Sequence, residues 1–517
     1  MYFSGRYWWR QSDFKVTRGC TSCGCANPNT ETEFHYGVYS SSDRGGSLRS
    51  DQHQELSGRG PGAHLLRGSD DIGGLWRFKE HPEPGRANIY QSVIINSSKE
   101  IMSYSDFPPP AHLPNNMHHS QTTVVSVRQR PDFPVSGQWE VETERTEGQR
   151  ETQVFDAVVV CTGHYTQPHL PLNDFPGIEE FEGRYLHSWE YRSAEGLQGK
   201  RVVVVRIGNS GGDIAVDASR VAEQVYLSTR RGAWVVSRVG AGGLPGDLMG
   251  TSRLDGLLQK LFPSWITRMI EKNLNQSFDH RLYGLQPKHG FFAQIPVVND
   301  DLPGRIISGR VLVKPGRSEA PVDVVVFATG YNYDFHFLPS SLRAKSGHRL
   351  SLYRHVFPPG LTRPTLAVVG FIHGLGAINP LAEMQARWAT RVFKGLPVRS
   401  VILSRWIICH TWTHPNLLGL LLRELGVGLR VLLGPCTPYQ YRLRGPGQWD
   451  GARQAILTQW ERVAQPFRTR LVTVPPRPWA RLSPWLITLS GGAVMLAVVI
   501  SQCNLTSALQ YPAHLLD

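Results

Sequence analysis

An apolar run and a glycine turn stand together in RVVVVRIGNSGGDIAVDASR, residues 201–220. Small residues at that spacing, ahead of a helix, let a backbone close on a pyrophosphate. In G-x-G-x-x-G the first glycine makes the turn, the second admits the phosphates and the third packs helix against strand. Here those positions are Arg206, Gly208 and Gly211, with Asn209 and Ser210 between the last two and Gly212 behind. Arg206 has two readings: a charge for the phosphates, or a β-carbon that strains the turn. In either case the amides that open the helix can cradle an anion.

About 20 residues on, where a dinucleotide fold recognises its ribose, LSTRRGAW sets Arg230 and Arg231 at a strand end. A carboxylate there would suit the ribose hydroxyls of NAD. Paired arginines suit the 2′-phosphate of NADP; the plainer reading is a solvated basic turn. Two further strands end alike, in VVVCTGHY and VVVFATGY, the second carrying Thr329 and Gly330. Thr-Gly at such an end serves either a tight turn or a ligand, since open α/β sheets bind ligands there.

These residues need strands buried on both faces. Val158–Val160, Arg201–Val205 and VDVVVFATG (322–330) are continuous apolar runs of that kind, and PTLAVVGF (364–371) is a fourth. TTVVSVRQ and QWEVETER alternate instead, as a half-exposed antiparallel ribbon does. SGGDIAVDASRVAEQ reads as the helix after the glycine turn, and VYLSTR as the next strand. SVIIN, 92–96, reads as a short buried strand leading into a loop. Residues 1–64, rich in Ser, Gly and Arg, lack either periodicity and read mostly as loop.

At 517 residues the chain holds two or three domains' worth of material, and its 41% apolar content suits a packed core. The formal charge of +13 is dispersed and falls in no nucleic-acid module, so nucleic acid is not expected as a partner. Seven cysteines, an odd and sparse number, make no disulfide framework. CTSCGC lacks a second ligand pair, so no metal is expected. No signal peptide opens the chain. Leu482 to Cys503 is uncharged and apolar, and its roughly 20 residues can span a bilayer. Arg470, Arg477 and Arg481 precede it, with Trp479 and Trp485 near its start, which makes it a C-terminal anchor with the bulk of the chain cytosolic. A buried terminal helix is the alternative.

The phrases DDIGGLWRF (70–78), GRANIYQSVIINSSKEIMSYSDFP (85–108), CTGHY, FPGIEEFEGRYLHSWEY (175–191), GNSGGDIAV and STRRGAW resemble the flavin-containing monooxygenases of the vertebrate microsomal type. So do GLQPKH, NDDLPGRIISG, FATGY and LGPCTPYQYRLRGPGQWDGAR, and the similarity runs with gaps over residues 65–503. Phe181, Gly183 and His187 fill the F-x-G-x-x-x-H pattern specific to that family. The resemblance implies an α/β fold of two dinucleotide-binding Rossmann-like domains, the first incomplete here, with a C-terminal membrane helix. It implies a FAD domain assembled from 65–165 and 322–450 with an associated helical region. An NADPH domain at 175–320 and a transmembrane tail at 482–503 complete it, behind an atypical 1–64. It implies FAD and NADPH as cofactors and molecular oxygen as a reactant. One oxygen atom passes from a C4a-hydroperoxyflavin to a small lipophilic nucleophile, an amine or sulfide, or enters beside a ketone. It sets Gly73, Gly74, Leu75 and Trp76 near FAD. Gly208, Asn209, Ser210, Gly211, Arg230, Arg231, Thr329 and Gly330 fall at NADPH. Asn96 becomes the active-site amide, which outweighs its place in an Asn-Ser-Ser glycosylation sequon. His187 is read as structural. The implied location is the endoplasmic reticulum membrane, and the resemblance leaves a homo-oligomer open.

The sequence departs from the family before Asp70. No strand, G-x-G-x-x-G turn and helix are legible there; SGRGPG (57–62) has no visible strand ahead of it, and Arg67 takes the position of the ribose-binding acid. Arg206 is a second departure, and three joins are short. These departures carry a second reading: a non-catalytic or misfolding-prone membrane-anchored homologue without a competent FAD site. NADP binding without flavin is a third.

Overall fold

The computed structural model describes residues 36–40 and 63–67 and, with short breaks, 78–111, 126–144, 150–315, 320–342, 351–395 and 424–467. It divides into two compact units, Met1–Pro466 and Phe467–Asp517. Both main sheets lie in the first; of the second, only the exposed Phe467 is described.

β1 (Tyr36–Ser40) and β2 (Ala63–Arg67) pair in parallel. Within 1–64, read mostly as loop, β1 is a strand that this reading did not include; the segment between it and SGRGPG lies outside the described residues. YGVYS escapes a pattern search because it is short, contains glycine and carries polar tyrosines rather than an aliphatic run. Next comes an antiparallel ribbon of β3 (Ser126–Gln129), β4 (Trp139–Glu144) and β5 (Arg150–Phe155). β6 (Ala157–Val160), wholly buried, returns to lie beside β1.

The second sheet is all parallel, in the order β10-β9-β8-β11-β7. Its strands are β7 (Arg184–His187), β8 (Arg201–Val205), β9 (Gln224–Thr229), β10 (Val311–Pro315) and β11 (Val324–Phe327). The helix α1 (Asn209–Ala218) connects β8 to β9 and buries Ile214, Ala215 and Val216 on the sheet. β12 (Leu366–Val368) then joins the first sheet, giving the order β12-β6-β1-β2. Two open parallel sheets, the second with the helical crossover α1 from β8 to β9, fit the doubly wound arrangement expected. The valines of β6 and β11 are buried on both faces, whereas β8 buries Val202 and Val204 and leaves Val203 and Val205 half-buried.

Beyond the sheets lie α2 (Arg253–Leu261), α3 (Pro263–Ser277), α4 (Asn379–Phe393), α5 (Leu425–Leu433) and α6 (Ala452–Ala464). The apolar run at 417–434 is helical over α5, and its first residues lie outside the described ones. Among the described residues no helix is long and apolar enough to cross a membrane; the anchor expected at 482–503 lies outside them.

SVIIN is not a strand. Residues 93–95 have no strand partner among the described residues, and Ile94 is 52% exposed. An apolar run without a neighbouring ladder remains a loop, and here the Ile94 carbonyl accepts from the Arg238 side chain instead.

Candidate functional site

β8 and β11 adjoin in the second sheet, and the carboxyl ends of such neighbouring parallel strands are where an open α/β sheet has its ligand crevice. Arg206 extends the β8 ladder, its N–H donating to the Ser228 carbonyl at 2.9 Å, and then turns with φ at 76°. Gly208 caps α1 in an extended conformation with no side-chain cap. A β-carbon on Gly211 would stand 2.3 Å from the Arg206 carbonyl oxygen, so the third fingerprint position must be glycine. At Gly212 an added β-carbon meets Val297 Cγ1 at 3.1 Å, a close helix contact. At Gly208 it meets nothing within 4 Å, so the middle position faces open space, as phosphate approach requires. Asn209 is tied inward, its Oδ1 accepting from the Val298 N–H at 2.8 Å.

Across the crevice, the Thr329 hydroxyl donates to the His169 carbonyl and Gly330 turns with φ at 86°. The guanidinium of Arg206 reaches over and donates to the Thr329 carbonyl at 3.1 Å.

At the β9 end, a pocket of about 330 Å³ is lined by Thr229, Arg230, Arg231, Gly232, Gln286 and Lys288 among others. Gly232 shapes it: φ is 68°, an added β-carbon would meet the Leu285 carbonyl at 2.3 Å, and its N–H donates to the Thr229 hydroxyl. Arg230, Arg231 and Lys288 are exposed, and among the described residues none has a carboxylate partner. Lys288 and Gln286 were not expected at the site, although GLQPKH carried a cation that could have signalled it.

Asn96 is half-buried beside a charged network that sequence reasoning missed. Its Oδ1 accepts from Arg238 Nη2 at 2.8 Å, and Arg238 also donates to the Ile94 carbonyl at 3.3 Å. Arg238 Nη1 pairs with Asp300 at 3.1 Å. Burial pushes Asp300 up, but hydrogen bonds from Ser237 and Arg238 outweigh it and hold the carboxyl below its ordinary range. On α1, Asp213 accepts from the Tyr90 hydroxyl at 2.6 Å and from Asn299 Nδ2 at 2.7 Å, and lies 4.0 Å from Arg238. Burial raises the Asp213 carboxyl and, with the neighbouring carboxylate, drives the Tyr90 phenol well above its ordinary range. The helix that starts at the glycine turn is thus connected to Asn96 through Asp213 and Arg238. Because Arg238 occupies the amide oxygen, the Asn96 NH₂ remains the end available to a ligand.

His187 is structural, as expected from its motif. It is buried, its Nδ1 accepts from the Trp189 N–H at 3.0 Å, and its ring meets Tyr331 edge-on. Burial lowers its pKa to about 4 against an opposing pull from the Gly330 backbone, so the ring is neutral near pH 7. Gly183 fits its pattern too, since an added β-carbon would lie 2.5 Å from the Asp323 carbonyl. His280 is equally buried, accepts from the Val235 N–H and is also lowered to about 4. An unfolded chain takes up these protons near pH 6.5, so the stability from burying neutral rings is complete above that and is lost as pH falls toward 4. The urea midpoint should therefore drop between about pH 7.5 and pH 5, and His280→Gln should shrink that drop. An equal drop in the variant would remove His280 from the account.

On the first sheet, buried Thr162 and the turn at Gly163 (φ 68°) follow β6. Gly73, Gly74, Leu75 and Trp76 lie outside the described residues.

Residues 63–123, 119–408 and 404–504 match the family described as flavin-binding monooxygenase-like. The chain belongs to that family. It is 47% identical over 498 aligned positions to flavin-containing monooxygenase 5 of Homo sapiens, spanning 83% of this chain and 92% of that protein. It is 43% identical over 470 positions to dimethylaniline monooxygenase [N-oxide-forming] 2 of Mus musculus, spanning 78% and 88%. Among solved structures it resembles cyclohexanone monooxygenase bound to epsilon-caprolactone, with a TM-score of 0.50 at 14% identity over 83% of this chain and 98% of that one. That last likeness concerns the fold alone. Membership makes the chain an NADPH- and oxygen-dependent flavin monooxygenase that uses FAD, and the non-catalytic reading is not favoured. The open space at Gly208, the obligate Gly211 and the cationic pocket at β9 fit a phosphorylated dinucleotide.

Proposed function

We propose that this flavin monooxygenase oxygenates small lipophilic amines and sulfides from an endoplasmic reticulum anchor, with its residues divided as follows. Gly208, Asn209, Ser210 and Gly211 hold the NADPH pyrophosphate on the amides that open α1. Arg230 and Arg231, joined by Lys288, take the 2′-phosphate. Thr329 and Gly330 border the dinucleotide at the β11 end. The Asn96 NH₂ donates toward the reacting oxygen, held at its other end by Arg238. Gly73, Gly74, Leu75 and Trp76 lie along FAD in a domain built from 65–165 and 322–450, beside an NADPH domain at 175–320. Bound flavin supplies the oxygen-transfer chemistry. The protein's own part is to bind, orient and keep water from the reacting centre.

The observation that carries this reading is that a cationic pocket and an open glycine turn stand at the carboxyl ends of the neighbouring strands β9 and β8. The mouse relative, whose name specifies N-oxide formation, supports the amine part of the substrate class, and sulfides are included as the other soft nucleophiles open to the same oxygen transfer. The uncharged segment 482–503 behind three arginines supports the anchor and a cytosolic bulk. The test is to purify the chain with FAD and record its visible spectrum, then follow NADPH consumption with a dialkyl sulfide. Near-stoichiometric flavin and sulfide-dependent turnover are expected. A folded, colourless chain would overturn the reading and favour a non-catalytic homologue.

A further inference from the structure

Arg206 is where this chain breaks the glycine fingerprint, and its left-handed φ of 76° is strained for a residue with a β-carbon. Among the described residues only Arg206, Arg354 and His355 have positive φ without being glycine. A β-carbon there crowds the carbonyl that follows, and such outliers persist where the surroundings or a function hold them. The guanidinium lies over the carboxyl ends of adjacent strands β8 and β11 and donates once, to the Thr329 carbonyl at 3.1 Å. Among the described residues no carboxylate pairs with it. It also stands two residues before the uncapped start of α1, whose first amides present a positive field. A cation placed against a positive helix end, with donors to spare and open space at Gly208, lacks only an anion.

We propose that Arg206 is a pyrophosphate-binding residue: its guanidinium, steadied by the Thr329 carbonyl, supplies the charge that compensates for the lost first glycine. This assignment rests on the dinucleotide reading of the crevice. Its chemistry predicts indifference to the 2′-phosphate, because NADP⁺ and NAD⁺ share the pyrophosphate. It therefore differs from Arg230 and Arg231, which would sense only NADP⁺.

The experiment is calorimetric titration of NADP⁺ and NAD⁺ into the purified chain and into Arg206→Ala and Arg206→Gly. Alanine keeps the β-carbon and removes the charge; glycine removes both. Loss of one charge-assisted contact should weaken both nucleotides about tenfold in each variant, leaving their ratio unchanged. The fall of affinity with added salt should flatten in both. Arg206→Gly should also melt higher than Arg206→Ala, since it alone relieves the left-handed turn. Affinity that holds or rises in both variants would overturn the assignment, and so would weakening confined to NADP⁺. A folded wild-type chain that binds neither nucleotide would overturn the dinucleotide reading and this assignment together.

Discussion

Glu383→Ala is expected to destabilise the chain by about 3 kcal/mol, the low end of the cost of breaking a buried ion pair, because Arg442 keeps Asp106. Glu383 sits on α4, is 3% exposed, and accepts from the Ser105 N–H at 2.9 Å and from the Ser105 hydroxyl. Arg442 pairs with it at 3.1 Å and with Asp106 at 2.6 Å, its own side chain 8% exposed. Burial raises the Glu383 carboxyl, and the Arg442 charge opposes the rise. Alanine leaves Arg442 with one carboxylate and Ser105 without its acceptor. Glutamine keeps an acceptor for Ser105 and fills the volume, so Glu383→Gln should cost clearly less. Urea denaturation of the three proteins gives the comparison. An alanine variant within about 1 kcal/mol of the parent would show that the network is a neutral replacement for apolar packing.

This network also bears on the site. The segment after Asn96 is fastened at several points: Ser98 N–H to Asp247 at 2.6 Å, Glu100 to Arg462 of α6 at 3.1 Å, and Ser105 to Glu383. The Tyr439 hydroxyl donates to Glu100 at 3.0 Å. Regions far along the chain therefore hold the loop that presents Asn96.

That dependence explains what the sequence could and could not tell. Val158–Val160 and Val324–Phe327 were legible because a strand buried on both faces must be apolar without a break, and Arg201–Val205 because its valine run reads the same way although one face is only half-buried. The helix start at Asn209 was legible because glycines mark where a backbone turns closely on itself. β1 was not, because YGVYS has no aliphatic run and no fingerprint behind it. SVIIN misled for the opposite reason: it has the composition of a strand without a neighbour to pair with. Arg238, Asp213 and Asp300 were invisible as a group. Asp213 meets Tyr90 across 123 positions and Asn96 meets Arg238 across 142, so no local pattern joins them. Charged residues in strand-end phrases read as solvated until the fold brings partners to them. Lys288 is the same case, a cation in a loop that meets the arginine pair only after β9 and the Gly284–Lys288 segment come together.

The second large effect expected is on nucleotide choice. Replacing both Arg230 and Arg231 with alanine should weaken NADP⁺ about 10²–10³-fold while NAD⁺ changes less than about threefold, as two lost charge-assisted contacts imply. NADP⁺ differs from NAD⁺ by the 2′-phosphate, so only contacts to that group can change the ratio. The pocket shape should survive, because Gly232, Thr229 and the Leu285 carbonyl make the turn and neither arginine side chain is part of it. Both arginines are exposed, so the fold should lose little stability. Lys288→Ala alone should give a smaller loss in the same direction, since an ammonium offers no planar fork to a phosphate. Calorimetric titration of each variant with both nucleotides measures the ratio directly. If it stays at the parental value in the double variant, the pocket at β9 is a solvated basic turn and the 2′-phosphate is held elsewhere. If it collapses while Arg206 variants leave it untouched, the two ends of the crevice divide the cofactor between them. Arg206 then answers to the pyrophosphate common to both nucleotides, and the arginine pair to the phosphate that tells them apart.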